Sequence, residues 1–237
     1  MATKVTLIAE CASNWGGNLR TAQLFIERFA AAGADFCKFQ LTRVAHLSRT
    51  DPQYEWFTQA EVTTDKLLAL VRLCRANHVQ SLFTVYNPAE VPLMRPFRHV
   101  KVGSGEAHRR DLAEALLGGD FETIFVADGI RQYPAHALYE AAPNVVFLGC
   151  ESRYPCSEQA AVRAMANPRN RGWSDHCIGL GGCRAAVECG ARYLEKHVQI
   201  REQARAARPF EATVDEFAEL RRWVDDDPER FIGRWAH

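Results

Sequence analysis

Two histidines end two short apolar segments in the last third of the chain. His176 ends the segment RGWSDH, and His197 ends the segment YLEKH. The stretch between them, residues 180–190, is rich in Ala, Cys and Gly and has the length of a helix. A strand, a helix and a second strand predict parallel neighbouring strands with both histidines at one rim. Two neutral imidazoles that converge on one point would supply half of the ligand shell of a divalent metal ion.

The alternative interpretation is that both histidines are core residues bonded to the backbone, which is the commoner role of an arbitrary pair. The residues around them favour a site, because strand ends are where parallel α/β folds keep their chemistry. The polar neighbours of the two histidines are Ser174, Asp175, Glu195 and Lys196.

The composition excludes several classes of function. The 237 residues carry a formal net charge of zero, so electrostatics favours neither nucleic acid nor an anionic membrane as a partner. No apolar run approaches the ~18 residues of a membrane span. The N-terminus enters a strand without a signal-peptide pattern, so we expect a cytoplasmic protein whose eight cysteines are reduced.

Strand and helix patterns alternate along the chain. The predicted strands are Val5–Glu10, Phe36–Gln40, Gln80–Val85, Val100–Ser104, Thr123–Asp128, Val145–Cys150, Gly172–His176 and Tyr193–Val198. The predicted helices are Leu19–Ala32, Asp65–Asn77, Asp111–Leu117, Pro134–Ala142, one that Ser157 caps and that ends at Ala166, and a last one opened by the capping box Thr213-x-x-Glu216.

Eight such units in a chain close to ~250 residues predict a closed (β/α)₈ TIM barrel, one domain over residues 1–237. A dinucleotide site is not expected, because no G-x-G-x-x-G follows the first strand. The polar and aromatic loop Thr42–Thr63 predicts a lid or a subunit contact.

Polar residues end nearly every predicted strand, although burial of an unpartnered polar group costs several kcal/mol. Any one of them could be a salt bridge or a cap, but together they predict a site at one rim that binds anions through lysines and hydroxyls beside a metal. They are Glu10, Lys38, Gln40, Thr84, Lys101, Ser104, Glu106, Asp128, Ser152, Tyr154, Ser174, His176, Glu195 and His197.

Several segments between about residues 5 and 200 resemble the sialic acid synthase family. They are AGADFCKFQ, VKVGSGE, GCESRYP, WSDH and GARYLEKH, in the order that the family has them. The resemblance implies an enzyme that condenses phosphoenolpyruvate with an aldehyde sugar, and it implies a homodimer. It also implies that His176 and His197 hold a divalent ion, manganese or magnesium, which polarises the aldehyde oxygen as a Lewis acid.

The resemblance also implies roles for the other rim residues. Glu106 is expected to steer the water that attacks C2 of the enol, and Glu10 to handle hydroxyls or protons of the sugar. The residues expected to bind the phosphate are Lys38, Ser104 and Ser174. Those expected near the carboxylate and the rest of the substrate are Gln40, Thr84, Lys101 and the turn Ser152–Tyr154.

The fifth predicted strand departs from the family, which has a phosphate-binding serine before Thr-Gly. Here Ala127 and Asp128 stand at this point. A carboxylate ~4 Å from a phosphate charge costs on the order of 4 kcal/mol. Either Arg131 or Arg153 neutralises Asp128, or Asp128 points away from the site, or phosphoenolpyruvate is not bound in the usual way.

Two further departures concern the second substrate. The segment Arg205–Arg208 replaces the family's Gly-Pro-Asp-His, which is either drift in a surface loop or a sign of a negatively charged substrate. The family's small antifreeze-like domain is expected to be absent, which puts N-acetylmannosamine in doubt as the aldehyde.

Two other functions stay open beside the synthase. Asp128 favours a metal-dependent aldolase or lyase that does not use phosphoenolpyruvate. A catalytically inactive barrel kept for binding is the third hypothesis, although drift would be expected to spoil some of the site residues that the chain retains.

Overall fold

The computed structural model describes residues 4–129, 135–139 and 142–226, and its strands form a closed parallel barrel. Each strand pairs with the next along the chain, and the last pairs with the first. The strands are β1 (Thr6–Ala12), β2 (Phe36–Gln40), β3 (Gln80–Thr84), β4 (His99–Val102), β5 (Thr123–Asp128), β6 (Val145–Cys150), β7 (Asn170–Asp175) and β8 (Tyr193–His197). The predicted (β/α)₈ barrel is therefore confirmed.

Helices connect the strands on the outside of the barrel, as right-handed crossovers between parallel strands require. The described helices are α1 (Leu19–Ala31), α2 (Tyr54–Gln59), α3 (Thr64–Ala76), α4 (Val91–Met94), α5 (Arg110–Leu117), α6 (His136–Tyr139), α7 (Glu158–Met165), α8 (Gly181–Glu188) and α9 (Val214–Asp225). The capping box of Thr213 and Glu216 opens α9 as predicted. Of the predicted helix Pro134–Ala142, residues 134, 140 and 141 lie outside the described residues, as does Arg131.

The apolar core has two parts. A large cluster lies between the strands and the helices, where α1 buries one face that includes Phe25 and Phe29. A small cluster fills the lumen at the N-terminal ends of the strands and consists of Ile8, Phe36, Leu82, Phe125 and Leu148. Because this cluster closes the lower half of the lumen, a ligand can enter the barrel only through the C-terminal rim.

The long loop after β2 is packed against this rim. It contains α2 and a 3₁₀ turn, Val44–His46, neither of which the sequence patterns predicted. Trp56 of α2 donates a hydrogen bond from Nε1 to Ser13 Oγ at 2.8 Å. At Gly17 the backbone φ is +73° and a Cβ would lie 1.9 Å from the carbonyl oxygen of Gln59, so only glycine allows this approach. The role of the loop as a lid or subunit contact stays a prediction.

None of the helices that the structure describes is long and apolar enough to cross a membrane.

Candidate functional site

The C-terminal half of the barrel lumen gathers side chains from all eight strands or their ends. Strand register explains the grouping: Glu10 is level with both Lys38 and His197, and Ser174 is level with Glu195. These side chains surround a small cavity of about 90 Å³. It is lined by Glu10, Lys38, Gln40, Thr84, Tyr86, Lys101, Gly103, Ser104, Ala127, Cys150, Tyr154, Ser174, His176, Glu195 and His197.

The two histidines lie side by side at this cavity, as the sequence predicted, with ring centroids 5.6 Å apart. His176 donates from Nδ1 to the carbonyl oxygen of Glu151 at 2.7 Å, which leaves Nε2 free to accept. Tyr154 stacks on the ring of His176 at 3.8 Å and fixes its plane. Burial lowers the pKa of His176, and burial together with the charge of His176 lowers the pKa of His197 further. Both rings are therefore neutral at neutral pH, the form that binds metals.

A network of opposite charges lies beside the histidines. Lys38 contacts the carboxylate of Glu10 and lies 3.3 Å from Oε1 of Glu195, while Lys101 lies 3.3 Å from Oε2 of Glu195. Ser174 donates to Glu195 Oε1 at 3.0 Å. Burial raises the pKa of the Glu195 carboxyl, but the two lysines outweigh that effect and lower it below its usual value. Burial lowers the pKa of Lys38 to about 8, so this lysine is still charged at neutral pH.

Thr84 is the clearest sign of a ligand position in the lumen. Its side chain is buried, and its Oγ1 has no hydrogen-bond partner among the described residues. A buried hydroxyl without a partner costs about 1–3 kcal/mol, so such groups in native proteins usually meet a ligand, an ion or water. Lys101 stands level with Thr84 on the next strand, and together they present a donor and a cation to the cavity.

Glu106 approaches the same cavity from the loop after β4. A Cβ at Gly103 would lie 2.9 Å from Oε2 of Glu106, so the glycine leaves the space that this carboxylate occupies. Glu106 lines an adjoining cavity of about 390 Å³ together with Gln40 and Tyr86, which line both cavities. Burial raises the pKa of Glu106, which makes it a stronger base than an exposed glutamate.

Asp128 is not part of the lumen group. Ala127 lines the lumen cavity, whereas Asp128 lines a separate cavity of about 400 Å³ with residues of α7 such as Arg163. This position agrees with the possibility that Asp128 points away from the lumen site, and the pairing with Arg131 concerns a residue outside the described ranges. Arg153 is exposed and lines neither of these cavities, so the sequence-based pairing of Arg153 with Asp128 has no support here.

Ser152 also lies outside the cavity lining. Its side chain is exposed, but its Oγ lies 3.3 Å from Oγ of Ser104, which does line the cavity. The serine pair marks the edge of the lumen site between the ends of β4 and β6.

Asp175 and Lys196, the other two polar neighbours of the histidines named in the sequence, lie outside the lumen site. Both are fully buried on the outer face of the sheet, where Lys196 Nζ lies 2.5 Å from Asp175 Oδ2. Strand alternation explains the difference, because residues next to Ser174, His176, Glu195 and His197 must face the other way. The pair ties β7 to β8 beneath the histidines.

A second group of possible metal ligands, Cys156, Asp175 and Cys177, lies in the same region. Both oxygens of Asp175 are already engaged, Oδ2 by Lys196 and Oδ1 by Nε1 of Trp173 at 2.7 Å. The Lys196 ammonium group beside Asp175 would repel a metal cation. Cys156, Asp175 and Cys177 therefore fit a metal ion less well than the two histidines do.

Sequence reasoning placed Glu195 at the rim without a specific role and did not name Tyr86, and both residues line the lumen cavity. Glu195 stands two residues before His197 and therefore shares its face, a signal that was present in the sequence. Tyr86 follows Thr84 by two residues, but it lies beyond the end of β3, where alternation alone does not define a direction.

Comparisons with known proteins show which proteins this chain resembles. The model of the NeuB family matches residues 25–226. The spore coat polysaccharide biosynthesis protein SpsE of Bacillus subtilis is 26% identical over 91% of this chain and 65% of its own length. A pseudaminic acid synthase of Campylobacter jejuni is 24% identical over 83% of this chain and 66% of its own length.

Among solved structures, an N-acetylneuraminic acid synthetase from Leptospira borgpetersenii superposes with a TM-score of 0.87 at 21% identity. The match covers 98% of this chain and 86% of that one, and at this identity it supports the fold. The present chain spans about two thirds of the length of the curated relatives. The expected absence of an antifreeze-like domain stays a prediction. Because the family model covers most of the chain and agrees with the sequence motifs, this protein belongs to the NeuB family.

Proposed function

We propose that this protein condenses phosphoenolpyruvate with an aldehyde to give a 2-keto acid and inorganic phosphate, and that it acts in carbohydrate biosynthesis. The observation that carries the proposal is one lumen that holds two buried lysines, an unpartnered threonine hydroxyl and two neutral histidines. Membership of a family whose relatives include synthases of acidic sugars supports it.

The anionic substrate is bound by cations and hydroxyls of the lumen in this proposal. Lys38 and Lys101 are 4% and 2% exposed, so they attract an anion in a poorly screened environment. Both lysines already neighbour Glu195, which keeps them in place and partly compensates their charge in the free enzyme. Ser104, Ser174 and Thr84 then supply hydroxyl groups to phosphate and carboxylate oxygens.

In the reaction, C3 of phosphoenolpyruvate forms a bond to the aldehyde carbon, and water adds to C2. The C2 centre becomes cation-like as the bond forms, and Glu106 is placed to accept a proton from the attacking water. The bond between C2 and the phosphate oxygen then breaks, which releases phosphate and leaves the 2-keto acid. Glu10 holds hydroxyls or moves protons of the acceptor.

A divalent ion, manganese or magnesium, would be held by His176 and His197 and would supply Lewis-acid polarisation of the aldehyde oxygen. The two imidazoles are neutral and line the same cavity, so they fit such an ion as a pair of nitrogen ligands. Nε2 of His176 is free for this purpose because Nδ1 is held by the Glu151 carbonyl.

The direct test is phosphate release from phosphoenolpyruvate with Mn²⁺ over a panel of aldehydes. We expect release that requires both an aldehyde and the metal, with one 2-keto acid formed for each phosphate. Glu106→Gln should lower kcat more than it raises KM for phosphoenolpyruvate, because Glu106 acts on charge that develops only during the reaction. No phosphate release with any aldehyde, or an unchanged kcat in Glu106→Gln, would contradict this assignment.

The aldolase or lyase alternative rested on Asp128 facing a bound phosphate. Asp128 instead lines a separate cavity, so it no longer favours an aldolase or lyase. No other feature of the described residues favours either of those reactions over condensation. The inactive-barrel alternative predicts that neither phosphoenolpyruvate nor Mn²⁺ binds, which calorimetry with the wild-type protein decides.

A further inference from the structure

Besides the cavity that Glu106 lines, a further cavity adjoins the lumen site. It measures about 470 Å³ and shares Gln40, Tyr154 and His197 with the small lumen cavity. An acceptor whose aldehyde lies at His176 and His197 can place the rest of its chain in this larger cavity, because His197 lines both cavities and the apolar cluster closes the opposite end of the lumen.

Two arginines, Arg205 and Arg208, line the larger cavity. Within the described ranges, neither guanidinium group forms an ion pair with a carboxylate. Other arginines of this protein do have such partners: Arg28, Arg98, Arg109, Arg110, Arg184 and Arg221. Two half-buried arginines that form no ion pair with a carboxylate of the described residues therefore line one cavity.

Glu211, a carboxylate whose charge acts on Arg205, is engaged in holding the segment that carries the arginines. Its Oε2 accepts from the backbone N–H of Arg208 at 3.0 Å and from the side chain of Gln203 at 3.3 Å. Its Oε1 accepts from the side chain of Asn14 at 2.9 Å. Glu211 is 5% exposed, so it fixes the backbone while the guanidinium groups remain available.

Aromatic faces orient the two guanidinium groups. The guanidinium carbon of Arg205 lies 4.8 Å from the ring centroid of Trp56, and that of Arg208 lies 5.8 Å from the ring of Phe210. Stacked guanidinium planes keep their N–H edges free for oxygen atoms, the arrangement in which arginine binds phosphates and carboxylates. Burial and the charge of Arg208 lower the pKa of Arg205, so an anion between the two would relieve their repulsion.

We propose that the acceptor aldehyde carries an anionic group, a phosphate ester or a carboxylate, which Arg205 and Arg208 bind in the larger cavity. This inference rests on the proposed condensation for the position of the aldehyde, but the anion site itself can be tested without any reaction.

The binding test uses three six-carbon ligands without an aldehyde: sorbitol, gluconate and sorbitol 6-phosphate, titrated by calorimetry in the absence of phosphoenolpyruvate. We expect at least one of the two anions to bind and sorbitol not to bind, and the stronger anion distinguishes phosphate from carboxylate. Arg205→Gln and Arg208→Gln should each weaken binding of the anion by about tenfold to a hundredfold, since one charge-assisted hydrogen bond contributes about 1.5–3 kcal/mol. Arg201→Gln, an exposed neighbour that does not line the cavity, should bind as the wild type does.

Lys38→Ala distinguishes this site from the lumen site, because it should lose affinity for phosphoenolpyruvate and keep affinity for the polyol anion. The inference is overturned if neither anion binds, if sorbitol binds as tightly, or if both arginine variants bind the anion unchanged.

Turnover separates this inference from the proposed condensation. Matched pairs of an aldose and its terminal phosphate or acid are compared as acceptors, and the charged member should have the lower KM. In Arg205→Gln the KM of the charged acceptor should rise while its kcat changes little, and the neutral acceptor should be unaffected. A neutral aldose used as well as its charged partner overturns the inference and leaves the condensation standing. Anion binding that depends on the arginines without any phosphate release would overturn the condensation instead.

Discussion

At the scale of single residues, the direction of each side chain decides whether it can act in the site. His176 and His197 face the lumen, whereas their neighbours Asp175 and Lys196 face the helices. The same rule separates Ala127 from Asp128 on β5. Side-chain chemistry alone predicted a site at this rim, but the two-residue period of the strand determines its members.

Removal of either histidine should abolish tight binding of Mn²⁺ without unfolding the barrel. His176→Ala and His197→Ala each remove one neutral nitrogen ligand at the open rim. His99→Ala is the matched control, because His99 begins β4 at the opposite end of the barrel. Titration of Mn²⁺ by calorimetry, with thermal melting to verify folding, should show weakened binding in the first two variants and wild-type affinity in the control. Wild-type affinity in all three variants would rule out the metal assignment.

The affinity for phosphoenolpyruvate should fall when the pH rises above about 8, the pKa to which burial lowers Lys38. Below that value the lysine is charged and attracts the anion, and above it the charge is lost while an ordinary lysine would keep it. The phosphate itself has a pKa near ~6, so its charge is constant in this range. Calorimetry between pH 7 and 9.5 should show a loss of up to about tenfold per pH unit. Lys38→Met should bind weakly at every pH, and a pH-independent wild type would contradict the role of Lys38.

At the scale of elements, sequence patterns located every strand, but they did not predict the bulge that extends β1 or the helix α2. The strands β2, β5 and β6 have the predicted bounds. β1 continues to Ala12 through a bulge, at which the backbone N–H of Ala12 donates to the Glu10 carboxylate, a tertiary arrangement that periodicity does not encode. The helix α2 has no fully buried residue and therefore no apolar stripe to reveal it.

The same limit applies to the candidate site. Residue type and position at a strand end predicted most of the lumen lining, because a parallel barrel brings all eight C-terminal ends together. Contacts between side chains from distant strands, such as Glu195 between Lys38 and Lys101, depend on the closed geometry. The hydrogen bond from Asn14 to Glu211 depends on it equally, because the two residues lie 197 positions apart, and no local pattern predicts either arrangement.

The buried pair of Asp175 and Lys196 should stabilise the folded barrel without taking part in the reaction. Either Asp175→Asn or Lys196→Met alone leaves a buried charge uncompensated, and the free energy of unfolding should fall by about 3–5 kcal/mol. The double variant removes both charges and should recover a large part of that loss. Arg110→Gln, which breaks an exposed i,i+4 pair on α5, should cost no more than about 0.5 kcal/mol. Urea unfolding measures all four proteins, and additive single effects in the double variant would contradict a coupled pair.

At the scale of the whole molecule, the site spans the seam at which the barrel closes. His197 on β8 is level with Glu10 on β1, and Glu10 is level with Lys38 on β2, so the site joins the first and last strands. A ligand bound to these residues contacts elements that are far apart in the chain and adjacent only in the folded state. Binding of phosphoenolpyruvate and Mn²⁺ should therefore oppose unfolding of the entire barrel.

This coupling predicts that phosphoenolpyruvate with Mn²⁺ raises the Tm of the wild type, because a ligand that binds only the folded state stabilises it by RT ln(1 + [L]/Kd). At a concentration 100 times Kd this amounts to about 2.7 kcal/mol. Lys101→Met removes a cation on β4, away from the seam, and His197→Ala removes a metal ligand at the seam itself. Lys101→Met should lose the increment from phosphoenolpyruvate and keep that from Mn²⁺, whereas His197→Ala should lose the increment from Mn²⁺. Scanning calorimetry with each ligand alone and with both separates the two contributions. If both variants keep both increments, the ligands bind elsewhere, and the lumen is then not where phosphoenolpyruvate and the metal meet.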